Sequence, residues 1–494
     1  MNSLPWCLPL SAVTSADRPL VGGKAVGLAQ LIQAGLPVPD GLVITTHAMA
    51  ALQDKAQTSQ VRTELQIQLA RLNASAYAVR SSAPHEDGVT HSYAGHYASY
   101  LNVSAQEVEV AVRRCWASLN SVQAAYAGQH LSMAVVVQAL APSEASGVAF
   151  SQVTAGDRAA VGIEAVYGLG EALVSGLLRP QRFTFDLVDL SLLHQELTPQ
   201  AIMLCAPAQK GPCQLLYGDT VTVLGREMMV VRQERVHGTL AVRLPDDLSQ
   251  QACLPGTAQM ALVRAALQAE AHFGHPVDLE WVWTGTELLF VQARPITQNV
   301  AWPVSPHHAP QDTGRKFGLA AAPGLARGRA VQLQAHDTGE TVEEGDIMVA
   351  YQTFPKWFFA MRRAGGVVTE TGGLLSHAAI VARELGVPCI VGVPDAGAAW
   401  PTGTLLTVDG TNGSVSPEEI VTGSGPSPAL PTAAPALQSG YSLAALWQLR
   451  LQGQGASSVL PPLALPAPGV ALSPDEQAWW HALNVEGDHA PHAR

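Results

Sequence analysis

Residues 298–318, QNVAWPVSPHHAPQDTGRKFG, constrain the fold more than any other stretch of this chain. They are polar and proline-containing, and the periodic patterns on either side stop there. A chain of 494 residues is too long for one ordinary core, so two or three domains are expected. This stretch reads as the boundary between two of them. A second shift follows Glu419, where TGSGPSPALPTAAPALQSG reads as a Gly/Ser/Pro/Ala linker. The expected organisation is a first domain over 1–297, a linker over 298–318, a compact second domain over 319–416 and a tail over 417–494. In that tail YSLAALWQLRLQG and SPDEQAWWHALNV are short apolar pieces, the second with Ser473 and Glu476 spaced as a capping pair. Docking or disorder without chemistry is the expectation for them.

Charge and cysteine usage exclude some functions. The formal net charge is −12, and the chain has five lysines: Lys24, Lys55, Lys210, Lys316 and Lys356. That balance argues against a nucleic-acid partner or an anionic membrane surface. The opening MNSLPWCLPLSAV lacks a basic n-region and a long apolar core, so it reads as a poor signal peptide. MAVVVQALA and LLTVDG are too short to span a bilayer. The six cysteines form no CxxC pair, and a reduced, cytoplasmic protein is expected.

Element patterns place the chemistry. A Gly-Gly-Lys turn at 22–24 leads into a helix from about Ala25 to Ala34, then GLVIT reads as a strand. Residues 51–75 and 108–128 read as helices, AYAVRSSA and MAVVVQAL as strands. Short strands are expected over 147–187, around the glycine turn YGLGEALVSG. A β-rich region with two longer helices is expected over 190–276. VDLEWVWTGTELLFVQARPIT reads as a hairpin around Thr284–Thr286. The second domain reads as several short valine-rich strands with two short helices, a swivelling α/β unit.

Two patterns suggest phosphate chemistry. In VTETGGLLSHAAIVARELGVPCIVG, His377 follows a Gly-Gly pair and opens a helix, with Ser376 as its expected N-cap. Amides and the macrodipole there favour an anionic adduct on the imidazole. A histidine that caps or packs locally is the plainer alternative. GGK at 22–24 and VRSSA at 79–83 each put a cation beside small residues, as a triphosphate requires. Neither is a Walker motif: Lys24 could cap a turn, and Arg80 could pair with Glu86 or Asp87.

The histidine segment resembles the phosphohistidine domain of the phosphoenolpyruvate-utilising enzymes, which include phosphoenolpyruvate synthase, pyruvate phosphate dikinase and rifampin phosphotransferase. GLAAAPGLARGRA, GDIMVA and TVDGTNGSV fit the same domain. Residues 18–297 resemble that family's ATP-grasp domain through GGKAVGLAQLIQAGLPVPDGLVITT, AVRSSAPHEDGVTHSYAGHYASYLNV, YGLGEALVSG and the hairpin. The resemblance implies a multidomain α/β and α+β fold, an ATP-grasp domain followed by a swivelling phosphohistidine domain. It makes His377 the phosphorylated residue, with Thr371 beside it. It makes Lys24, Arg80 and Arg294 phosphate contacts, and Tyr93, Ala94 and Gly95 part of a covering loop. Gln138 would lie against adenine, Glu171 would assist metal or ribose binding, and Glu280 and Gln292 would organise Mg²⁺. Here Tyr93 and His96 stand where the family is expected to carry Phe and Gln. The plain alternative for the last strands is an ordinary hairpin.

The resemblance covers about 380 residues, and the remaining stretches are too short for the family's TIM barrel or its antibiotic-binding domain, so neither is expected among these residues. The expected function is an ATP- and Mg²⁺-dependent phosphotransferase that phosphorylates His377 and releases AMP and phosphate. Its expected acceptor is a small molecule, held at the domain interface or on a separate subunit. An ATP-using ligase component and a non-catalytic nucleotide-binding partner are the alternatives.

Overall fold

The computed structural model of the protein describes residues 5–52, 55–84, 98–125, 132–156, 158–206, 219–234, 238–296, 301–302, 314–374 and 376–417. They fall in one compact unit, Met1–Glu419; a second unit, Ile420–Arg494, lies outside the described residues, and so do the expected tail helices. No helix among the described residues is long and apolar enough to cross a membrane.

The first sheet runs Cys7–Pro9, Gly41–Ile44, Ala134–Ala139, Tyr77–Ser82, Ser99–Val103, antiparallel throughout. The apolar run MAVVVQ takes its centre because both faces are covered. Ala134 and Val136 join a core with Val21, Ala25 and Leu28 of the helix Arg18–Gln33. Val135 and Val137 point the other way, toward Val61 and Leu65 of Lys55–Leu72 and Val112 of Val108–Ala125. One residue of register would exchange the two cores.

A larger antiparallel sheet carries the order Leu288–Pro295, Val277–Trp283, Ala145–Ala155, Arg158–Tyr167, Gln181–Asp186, Leu192–Glu196. Its strands over 145–167 are 11 and 10 residues long, where short ones were expected. Between residues 190 and 276 only Gly256–Phe273 is a long helix among the described residues; Asp246–Ser249 is a single turn. The β-branched alternation of TVTV and the VV of REMMVVRQE instead make strands of a small antiparallel sheet with Ile202–Cys205 and Thr239–Arg243.

The interdomain stretch is not one uninterrupted connection. Ala301–Trp302 pairs in parallel with Thr154–Ala155. The Trp302 indole is buried, donates from Nε1 to Thr184 Oγ1 at 2.7 Å and packs edge-on against Phe150. Gly162 gives it room: a Cβ there would come within 2.8 Å of the ring. Burying so large an aromatic outweighs the polar character of the neighbouring sequence. Lys316–Phe317 joins the following sheet.

That sheet, in the second domain, has the order Lys316–Phe317, Ser414–Pro417, Leu405–Asp409, Leu325–Leu333, Ile347–Ala350, Gly366–Thr369, Cys389–Val391, Leu319–Ala322. Four consecutive strands of it, from Leu325–Leu333 to Cys389–Val391, are parallel. The helices Phe358–Arg363 and His377–Leu385 make two of the crossovers. In such a sheet the carboxyl ends of the strands face the ligand. The loops leaving Ala350 and Thr369 are therefore the ones that carry chemistry.

Candidate active site

Lys24 is held by a backbone kink. Gly22 has φ 79° inside an otherwise helical stretch, and a Cβ there would lie 2.1 Å from the Ser82 carbonyl oxygen. Ser82 locks the turn by donating to Val21 O (2.7 Å) and accepting from Ala25 N (3.2 Å). Lys24, 5% exposed, donates from Nζ to Ser81 O at 3.0 Å. Arg80 of the neighbouring strand donates from Nη1 to Val291 O at 3.0 Å and sits 3.7 Å from Glu280 Oε2. It reaches across to the hairpin; Glu86 and Asp87, the acids with which it could have paired locally, lie outside the described residues.

The hairpin puts Glu280 directly opposite Gln292, with a bulge between Glu280 and Trp281. The Gln292 amide, with its oxygen turned toward Arg294, accepts from Arg294 Nε and Nη2. Gln138 donates from Nε2 to Pro39 O at 3.3 Å, and Glu171 opens the short helix Glu171–Val174. All seven residues — Lys24, Arg80, Gln138, Glu171, Glu280, Gln292 and Arg294 — line one cavity of about 490 Å³. Tyr93, Ala94 and Gly95 lie outside the described residues.

His377 lines the same cavity from the other domain. It is 7% exposed at the first position of its helix. Its Nδ1 is 2.8 Å from the Thr353 hydroxyl, in the loop after Ile347–Ala350. Thr353 was not singled out in the sequence; its only signal was position, just past the carboxyl end of a parallel strand. Thr371, read as the threonine beside the ring, instead donates to Tyr351 O at 2.9 Å and does not line the cavity. It braces the glycine turn against the loop that carries Thr353. Ser376 occupies the N-cap position, but its hydroxyl donates back to Gly373 O at 2.8 Å and makes no capping bond. The helix C-terminus follows the expected pattern, with Gly386 left-handed at φ 67°.

A buried carboxylate meets the glycine turn. Glu164, fully buried on the strand Arg158–Tyr167, accepts from Arg182 Nε at 3.1 Å and Leu374 N at 3.4 Å. A Cβ on Gly373 would lie 2.7 Å from Glu164 Oε2. Arg182 also donates to Glu196 at 2.7 Å. From the histidine helix, Arg383 donates to Leu374 O and to Ala379 O. Burial pulls its guanidinium below the ordinary value, and nearby Asp278 and Glu164 offset this only in part.

The residues present fit a magnesium nucleotide. Glu280 and Gln292 are cross-strand partners on one cavity wall and offer one carboxylate and one amide oxygen. Among the described residues no cluster of three or more His, Cys, Asp or Glu exists. Such a sparse oxygen set suits Mg²⁺, which keeps waters and binds through substrate phosphates.

Comparison with known proteins agrees with this geometry. The family model described as pyruvate phosphate dikinase, AMP/ATP-binding domain, matches residues 51–217 and 219–313. The one described as PEP-utilising enzyme, mobile domain, matches 342–413. A probable phosphoenolpyruvate synthase from Archaeoglobus fulgidus is 32% identical over 460 residues, covering 82% of this chain and 57% of that protein. The phosphoenolpyruvate synthase of Aeropyrum pernix is 32% identical over 472 residues, with the same two coverages. That of Pyrococcus furiosus is 30% identical over 491 residues, covering 81% and 57%. The chain thus spans a little over half the length of these relatives. With a nucleotide-domain match over more than half its length and a mobile-domain match around His377, the chain belongs to the PEP-utilising enzyme family.

Proposed function

We propose that this chain is an ATP-dependent, dikinase-type phosphotransferase. It phosphorylates its own His377 and passes the phosphoryl group to a small-molecule acceptor, with AMP and phosphate as the nucleotide products. One observation carries the reading: His377, held by Thr353, opens into the cavity that holds Lys24, Arg80 and Arg294.

The Thr353 hydroxyl engages Nδ1; as the acceptor of an Nδ1–H bond it leaves Nε2 as the nitrogen with the reactive lone pair. Nε2 forms a bond to the β-phosphorus as the bridging bond to the α-phosphate breaks, and AMP leaves with that electron pair. Water then takes the γ-phosphoryl group as phosphate, leaving the β-phosphoryl group on Nε2. Lys24 and Arg80 hold the phosphate chain, and Arg294 meets a phosphate oxygen fork-on. Mg²⁺ held by Glu280 and Gln292 would neutralise charge between phosphate oxygens. Arg80 beside Glu280 and Gln292 beside Arg294 keep these groups oriented before substrate arrives. Gln138 and the apolar wall around Leu140 and Leu204 receive the base.

His377 then leaves with its domain to reach an acceptor. The relatives' names make phosphoenolpyruvate the first product to test, and its dephosphorylated keto form, pyruvate, the first acceptor. On this reading the acceptor is bound at the domain interface or with a separate subunit. Cytoplasmic residence goes with it: Cys7, Cys115, Cys205, Cys253 and Cys389 are unbridged and buried, and burial pushes the Cys205 thiol up to about 11.

The test is a pair of labelling reactions with magnesium, using ATP labelled at the β- or the γ-phosphate, on wild type and His377→Ala. Acid-labile, alkali-stable β-label absent from the variant is the expected result. No protein-bound label in either reaction overturns the reading.

A further inference from the structure

The histidine domain brings to the cavity wall a buried amide oxygen to which neither the binding nor the transfer step assigns a role. Gln352 lines the cavity immediately before Thr353, and its Oε1 is buried with no hydrogen-bond partner among the described residues. Leaving a buried amide oxygen without a donor costs about 1–3 kcal/mol, so an unpartnered one marks a place where a donor is expected. Three other polar groups of the wall are committed. Ser146 donates to Gly168 O, Ser175 to Glu171 O, and Gln138 to Pro39 O.

The chemistry narrows what Gln352 can receive. A triphosphate chain offers acceptors and no donors, so it cannot satisfy an amide oxygen. The base end of the nucleotide carries donors, but Gln352 belongs to the histidine domain and adjoins the residue that holds the His377 ring. Water is the donor that the proposed reaction brings there. That reaction consumes one water, at the γ-phosphorus, after Nε2 has taken the two terminal phosphoryl groups.

We propose that Gln352 orients the water that removes the γ-phosphoryl group from diphosphorylated His377. This rests on the phosphotransferase reading above. The amide oxygen accepts from the water, whose oxygen forms a bond to the γ-phosphorus. The β–γ bridging bond breaks, and its electron pair stays on the β-phosphoryl group bound to Nε2. Both water hydrogens leave on the phosphate, so a triply negative diphosphoryl adduct gives a doubly negative phosphohistidine and singly negative dihydrogen phosphate. A glutamine that positions an attacking water toward a γ-phosphorus is a recurring solution in nucleotide hydrolysis. Because Gln352 travels with its domain, it stays beside the adduct wherever the histidine domain is docked.

The experiment follows both labels on full-length wild type, Gln352→Leu and Gln352→Glu with magnesium and ATP. Wild type is expected to keep β-label on the protein and release γ-label as phosphate. In Gln352→Leu, β-label still arrives, but γ-label stays with it, its release slowed about 100-fold by loss of the aligned water. Gln352→Glu keeps an acceptor oxygen and recovers much of the release. β-label on Gln352→Leu shows that the variant is folded and binds nucleotide. Release of γ-label at the wild-type rate from both variants overturns the proposal. So does the absence of both labels from Gln352→Leu when wild type is labelled, because the residue then acts before the water step. If wild type itself takes no β-label, it is the phosphotransferase reading that falls.

Discussion

At the scale of single residues, the central fact is that the ring of His377 is fixed by a hydroxyl from another loop. The 2.8 Å contact to Nδ1 sets the orientation of the ring, which a helix position alone leaves open. Replacing Thr353 by valine keeps its shape and removes the hydroxyl. The initial rate of β-label incorporation is expected to fall about 10- to 100-fold, while Thr353→Ser restores most of it. An unchanged rate in the valine variant would assign the ring's orientation to packing. The same geometry separates Thr353 from Thr371, the threonine that the family resemblance had placed beside the ring. Thr371 spends its hydroxyl on Tyr351 O, so it supports the turn and not the imidazole.

At the scale of elements, each functional side chain depends on a local backbone feature. The Gly-Gly-Lys turn was legible because only glycine accepts a left-handed step without strain. The structure adds a second reason in the approach of the Ser82 carbonyl. Gly22→Ala meets both obstacles and is expected to destabilise the protein by about 2–3 kcal/mol. Urea unfolding measures this, and a change within 0.5 kcal/mol, the range of an ordinary surface substitution, would mean the turn relaxes. The hairpin was legible from its alternation and its turn, and with it the shared face of Glu280, Gln292 and Arg294. The long helix expected among the strands of 190–276 failed where β-branched residues could complete a sheet, which no local window shows.

At the scale of the whole molecule, the two domains meet where the histidine must be served. Glu164 touches the glycine turn from below, held by Arg182 and with no hydrogen bond to Oε2 among the described residues. A buried, incompletely satisfied charge at a contact surface contributes little net affinity. That suits a domain that has to leave again. Gly373→Ala would force a methyl group against this locked carboxylate. It is expected to lower β-label incorporation at least 10-fold while leaving nucleotide affinity, measured by calorimetry, within about two-fold. Loss of nucleotide affinity would instead mean that the turn shapes the ATP site itself. The buried Trp302 gives the connection between the domains a fixed point on the nucleotide domain, so its polar composition alone was a poor guide.

The sequence by itself determined the local chemistry. Glycine-rich turns, helix starts and strand alternation arise from neighbours a few residues apart; they made His377, Lys24 and Arg80 candidates, while the family resemblance is what pointed to Glu280, Gln292 and Arg294. Tertiary structure alone decided which groups complete the site. Thr353 lies 24 residues from His377, Arg80 lies 211 from the Val291 carbonyl it binds, and Glu164 lies 210 from Leu374. Contacts over such separations leave no periodic trace in the chain. They exist because parallel strands deliver their loops to one edge and because two separately folded sheets close on a common cavity.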